Sequence, residues 1–152
     1  MNETYISKSP TNTKKAAKAL AEEIKKKPLK TKKALIFALK GNLGAGKTTF
    51  IQFLAKEMGV KENITSPTFV LMKKYPLPSK NPFNYMYHID CYRLKDHKDI
   101  IELDFEEIIS AKENIVLIEW AEKIKKALPK ETIWINFKIL SEKEREINIK
   151  NG

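Results

Sequence analysis

Three of the five glycines in this 152-residue chain lie within positions 41 to 46, and the rest of the chain is almost free of them. Glycine serves where backbone takes a positive φ or must approach a neighbour closely, so that freedom is concentrated in one place. The preceding segment, Ala34-Leu35-Ile36-Phe37-Ala38-Leu39, is a continuous apolar run of strand length. Such a run suits a central strand covered on both faces. In the following segment, Thr48 to Met58, the apolar residues Phe50, Ile51, Phe53, Leu54 and Met58 have helical spacing. Gly59 stands where a helix C-terminus belongs. Strand, loop and helix are the context in which Gly41-Asn42-Leu43-Gly44-Ala45-Gly46-Lys47-Thr48, a match to G-x-x-x-x-G-K-[ST], carries chemistry. The backbone from Asn42, Leu43, Gly44, Ala45 and Gly46 to Lys47, Thr48 and Thr49 then wraps phosphates, and the helix points its positive end at them. Lys47 reaches the β- and γ-phosphates, and the Thr48 hydroxyl ligates Mg²⁺. The expected ligand is ATP or GTP with Mg²⁺.

The remaining chain reads as alternating strands and helices, hence an α/β fold in a single domain spanning 1–152. A short strand is expected at Tyr5 to Lys8. A helix follows from Ser9-Pro10, with Ala16, Leu20 and Ile24 on its apolar face, and Pro28 ends it. Lys25 to Lys33 forms a basic turn. Phe69 to Tyr75 reads as a strand, and Pro76, Pro78 and Pro82 bracket an exposed loop. Tyr85 to Tyr92 alternates Tyr85, Tyr87, Ile89 and Cys91 with Met86, His88, Asp90 and Tyr92. That pattern predicts a half-buried strand, antiparallel to the one before it. Ile100 to Ile109 is helical with a break at Leu103-Asp104. Ile115 to Ile118 is a second buried strand, a short helix follows, and Ile133 to Leu140 and Glu146 to Ile149 close the sheet.

A phosphate loop needs an acidic partner for its metal, and two strand ends compete. Glu119 follows four apolar residues in Ile-Val-Leu-Ile-Glu, a Walker B pattern with Glu in place of Asp, and Asp90 ends Tyr-Met-Tyr-His-Ile-Asp. Ligands of open α/β sheets gather at the carboxyl ends of strands, so both carboxylates are candidates. Thr68, in Ser66-Pro67-Thr68, is either a switch threonine that senses the γ-phosphate or part of an ordinary turn.

The net charge of +10 comes almost wholly from lysine, since Arg93 and Arg145 are the only arginines. It reads first as compositional bias, with a basic docking face as the alternative. Small nucleotide kinases bring several arginines onto the transferred phosphoryl group. Arg93 is the only arginine expected near the loop, which points to a slow hydrolase that works with a partner. There is no Asn-Lys-x-Asp guanine motif and no Leu-Ser-Gly-Gly transporter signature. His88 and His97 read as strand and loop residues, and Trp120 and Trp134 as core or interface. The lone Cys91 suits a reducing cytoplasm, no run of about 18 apolar residues spans a membrane, and the first residues lack an apolar leader.

Four motifs occur in order: Gly-Asn-Leu-Gly-Ala-Gly-Lys-Thr-Thr at 41–49, Ser-Pro-Thr-Phe at 66–69, His-Ile-Asp-Cys-Tyr-Arg-Leu at 88–94 and Ile-Glu-Trp-Ala-Glu-Lys at 118–123. Together they resemble the bacterial TsaE (YjeE) family, the small ATPase of tRNA threonylcarbamoyladenosine (t6A) biosynthesis. The resemblance implies a P-loop NTPase-type three-layer α/β sandwich with a mixed parallel and antiparallel sheet. It implies docking on the TsaB–TsaD heterodimer, and through it on tRNA, with ATP hydrolysis resetting the complex rather than transferring the modification. Carried over by motif, Lys47 and Thr48 bind phosphate and Mg²⁺, and Thr68 is the switch. Asp90 and Glu119 serve metal and water, and Trp120 lies beside the nucleotide. The rival readings are a small-molecule P-loop kinase and a nucleic-acid-binding module using the lysine face.

Overall fold

The protein is described here by a computed structural model covering residues 1–26, 31–67 and 71–152. Among the described residues seven strands form one sheet: β1 (Asn2–Ser7), β2 (Leu35–Lys40), β3 (Met72–Pro76), β4 (Tyr85–Asp90), β5 (Asn114–Glu119), β6 (Ile133–Ile139) and β7 (Arg145–Lys150). Their order is β1-β7-β6-β2-β5-β4-β3. β6, β2, β5 and β4 run parallel in the centre. Antiparallel β3 closes one edge, and antiparallel β7 and β1 close the other. The sheet is therefore mixed, as expected.

Both faces are covered, because the continuous apolar runs of β2 and β5 leave no solvent side. On one face lie α1 (Pro10–Lys26) and α2 (Lys47–Glu57). Ala16, Leu20 and Ile24 of α1 and Phe50, Ile51 and Leu54 of α2 pack there with Phe37, Leu39, Leu117 and Ile135 of the sheet. On the other face, Ile36, Ala38, Val116 and Ile118 meet Ile100, Phe105, Ile109 and Ile124. These come from 3-10 turns at His97–Leu103 and Ala121–Ala127 and from α3 (Phe105–Ser110). The break foreseen at Leu103-Asp104 is present: Asp104 takes φ 55°. The helical segment starts earlier than its apolar spacing suggests because Asp96 and Asp99 form a reciprocal capping box. Pro28 and part of the basic turn fall outside the described residues, as do Phe69 and Val70 at the expected start of β3.

One expectation is corrected. β4 is not half-buried: Met86 through Asp90 are all buried, and only Tyr85 is exposed. The alternation is real, but its polar side does not face water. Met86 belongs to the face that carries α1 and α2. By the two-residue period of a strand, His88 and Asp90 share that face. They line a site there. The strand stops at Asp90, two residues early, because its Oδ1 accepts the Tyr92 N–H at 2.9 Å and turns the chain. The Pro76 to Pro82 loop is exposed at its tip yet anchored: Phe83 enters the core and Asn81 Nδ2 donates to the Met58 carbonyl at 2.9 Å. Among the described residues no helix is long and apolar enough to cross a membrane.

Candidate functional site

Strand register brings the site together. Leu39 of β2 pairs with Glu119 of β5, and Glu119 pairs with Asp90 of β4. Three parallel strands thus end level, and the glycine loop leaves β2 at the same edge. Gly41 passes so close to β6 that a Cβ would sit 2.8 Å from the Phe137 carbonyl oxygen. Gly46 takes φ 98°, where a side chain is strained, and starts α2. The glycine spacing is thereby explained by a close approach at one end of the loop and a left-handed turn at the other.

Lys47 opens α2 and is only 5% exposed. Its Nζ donates to the Gly41 carbonyl and, at 3.2 Å, to the Asn42 carbonyl. The ammonium also lies 4.2 Å from the centre of the Trp120 ring. Burial pulls its pKa below the ordinary lysine value, while Glu119, Glu122 and Asp90 pull it back up. A buried cation held by the loop's own carbonyls is poised for an incoming anion.

The acids are equally ordered. Glu119, 3% exposed, accepts the Thr48 hydroxyl at 2.7 Å on Oε1 and contacts His88 Nε2 at 2.6 Å through Oε2. Asp90 accepts the Ser66 hydroxyl at 2.9 Å on Oδ2. Lys47, Thr48, Asp90 and Glu119 all line one cavity of about 420 Å³, with residues 43–46, Thr49, Ser66, Tyr92 and Trp120. Leu43 stands 76% exposed at the loop tip, and the Asn42 carbonyl accepts the Ala45 N–H at 3.0 Å. Trp120 takes φ 56°, unusual for an aromatic residue, and its ring packs 5.0 Å from Tyr92. Such strain tends to be kept at functional sites. The neighbouring Cys91 is buried, and burial first, with Asp90 second, pushes its thiol up to about 12, so it offers no thiolate.

The structure thus brings together Asn42 to Thr49, Asp90, Glu119 and Trp120. Thr68 lies outside the described residues. Three contributors were not foreseen. His88 holds Glu119, and its position two residues before Asp90 on one strand was a usable signal. Ser66 reaches Asp90. Arg145 Nη2 lies 3.4 Å from the Gly44 carbonyl, so the expectation that Arg93 alone stands near the loop is corrected. The guanidinium is otherwise tied to the carbonyls of Ser141, Glu142 and Glu144 in the β6–β7 turn. A second cavity of about 410 Å³ lies beyond the loop and shares Gly44, Ala45, Gly46 and Thr49 with the first. Ser7, Ser9, Thr13, Phe137 and Arg145 bound its other side.

Residues 7–147 match the family model described as threonylcarbamoyl adenosine biosynthesis protein TsaE. The chain is 40% identical over 152 residues to the tRNA threonylcarbamoyladenosine biosynthesis protein TsaE of Rickettsia bellii, covering 99% of this chain and 96% of that protein. It is 37% identical over 115 residues to the protein of the same name from Bacillus subtilis, covering 74% of this chain and 66% of that one. Among solved structures, YdiB of Bacillus subtilis superposes with a TM-score of 0.71 at 30% identity, covering all of this chain and 87% of that one.

Proposed function

The chain belongs to the TsaE family of tRNA threonylcarbamoyladenosine biosynthesis, and from that premise we propose that it is a slow Mg²⁺-dependent ATPase acting on the TsaB–TsaD heterodimer. It reaches tRNA through that complex, works in the cytoplasm, and acts as one domain. The observation that carries the reading is the buried Lys47 ammonium inside a cavity whose other wall presents Asp90 and Glu119.

The donors suit magnesium. The Thr48 hydroxyl and the Asp90 carboxylate would hold the ion as hard oxygen ligands, the kind Mg²⁺ takes together with phosphate oxygens, with the Glu119 carboxylate beside them. When bound, the ion supplies neutralisation of phosphate charge. The loop amides from Asn42 to Thr49 bind the phosphates. Lys47 leaves the Gly41 and Asn42 carbonyls for the phosphate oxygens. The Thr48 hydroxyl leaves Glu119, whose Oε1 is then free to orient water and take its proton. The nucleoside extends over Thr49 into the second cavity, toward Ser7, Ser9 and Arg145. Arg145 is bound by three carbonyls of its own turn, which supports hydrolysis over phosphoryl transfer to a second substrate.

The test is phosphate release with and without the heterodimer, alongside copurification with and without ATP. Slow release alone, stimulation by the heterodimer and nucleotide-dependent copurification are expected. Turnover of the isolated chain at about 1 per second or faster, the kinase range, with no response to the heterodimer, would falsify the reading. Transfer of phosphate to an added nucleoside would favour a small-molecule kinase instead.

A fluorescence change should accompany binding. Trp120 and Trp134 are the only tryptophans, and of the two only Trp120 lines the cavity. In a Trp134→Phe variant, nucleotide should draw Lys47 off the Trp120 ring and change the emission. A flat titration under conditions where calorimetry detects binding would show that Lys47 stays on the ring.

A further inference from the structure

Both oxygens of the Glu119 carboxylate are engaged, and the two partners differ in kind. Thr48, on Oε1, belongs to the cavity wall and is reachable by a ligand. His88, on Oε2, is 0% exposed and sits within β4 opposite Leu117 of β5. Its other nitrogen, Nδ1, has no hydrogen-bond partner among the described residues. Glu119 is thus the one polar contact of the ring found there. That pattern assigns the Nε2–H tautomer, with Nε2 donating to the carboxylate and Nδ1 as the idle acceptor. An apolar side chain would fill the same space without burying an unmatched nitrogen, so packing alone does not call for a histidine.

We infer that His88 is a positioning residue that holds Oε2 of Glu119 and leaves Oε1 as the single oxygen presented to the cavity. The tie to Thr48 opens when the hydroxyl turns to ligand. The tie to His88 does not, because no ligand reaches it. The carboxylate therefore cannot swing to offer both oxygens at once, and Oε1 keeps its aim. Outer partners of this type set the orientation of the group they hold, and losing one costs about tenfold to hundredfold in affinity or activity. The inference rests on the role proposed for Glu119 and adds what determines its geometry.

Two variants separate the donor from the ring. His88→Phe keeps a planar ring, somewhat larger than imidazole, and removes the donor. His88→Gln keeps a donor near the Nε2 position. His88→Phe should lower kcat for ATP about tenfold to hundredfold with KM little changed, and His88→Gln should recover most of the loss. Binding of ADP in EDTA should stay within about twofold in both, since the loop and Lys47 carry it. Nitrogen-15 spectra of the ligand-free protein should show the Nε2–H tautomer for His88, with a proton slow to exchange and shifted by Glu119→Gln. The chain has two histidines, so a His97→Asn variant assigns the signal. Equal losses in the two variants, full activity in His88→Phe, or an Nδ1–H tautomer would each overturn the inference. Should His88→Phe fail to fold, the spectrum and His88→Gln still decide it. A wild-type chain that releases no phosphate overturns the functional reading. A wild type that does, with His88→Phe unchanged, overturns only this inference.

Discussion

Lys47→Ala should weaken nucleotide binding by about 10²- to 10⁴-fold while leaving the fold intact. The ammonium is 5% exposed, lies in the cavity, and is satisfied by the loop carbonyls of Gly41 and Asn42. Neutral carbonyls compensate a buried cation poorly, and its lowered pKa reflects that burial. Phosphate oxygens carry full charge and make the stronger partners. Hydrogen bonds to charged groups contribute about 1.5–3 kcal/mol each. Losing two weakens binding by about 10²- to 10⁴-fold. The folded state gives up less, because the lost bonds run to a loop whose carbonyls can turn to water. Calorimetric titration with ADP, paired with a thermal melt, reads both quantities. A dissociation constant within about tenfold of wild type, a change of only 1.4 kcal/mol, would mean that the backbone amides hold the phosphates without the lysine.

The parts of the site that were readable in the sequence are those set by short-range pattern. Leu35 to Lys40, the glycine loop and α2 follow one another directly, so spacing alone identifies them. Asp90 and Glu119 were found because each ends a strand, and the sheet register then makes those ends level. What stayed hidden depends on surroundings that a single segment does not carry. The burial of His88 is one case: alternation assigns a strand's polar side to water, yet in β4 that side faces a site roofed by α2. Arg145 is another. Its contact with Gly44 spans 101 positions and exists because β7 folds back along β6 next to β2. The left-handed turn at Trp120 has no compositional mark, since the residue that adopts it is neither glycine nor asparagine.

Glu119→Gln should separate turnover from binding more sharply than any other substitution in the site. The amide is nearly isosteric. It can offer its oxygen to His88 Nε2–H and its nitrogen to the Thr48 hydroxyl, so the hydrogen-bond network at the end of β5 survives. What disappears is the charge, and with it the ability to take a proton from water. A positioned general base contributes about 10²- to 10⁴-fold, so phosphate release in the presence of the heterodimer should fall by that amount, with ADP affinity little changed. Glu119→Ala is the less informative variant. It strips partners from buried His88 and from Thr48, and each unsatisfied group costs about 1–3 kcal/mol, so a fall in activity there mixes chemistry with stability. Asp90→Asn provides the contrast. If Asp90 is the carboxylate that holds the ion, its variant should lose the Mg²⁺-dependent part of affinity, which Glu119→Gln keeps. Parallel loss of binding and turnover in Glu119→Gln would instead make Glu119 the ligand-holding group and leave the water to another residue.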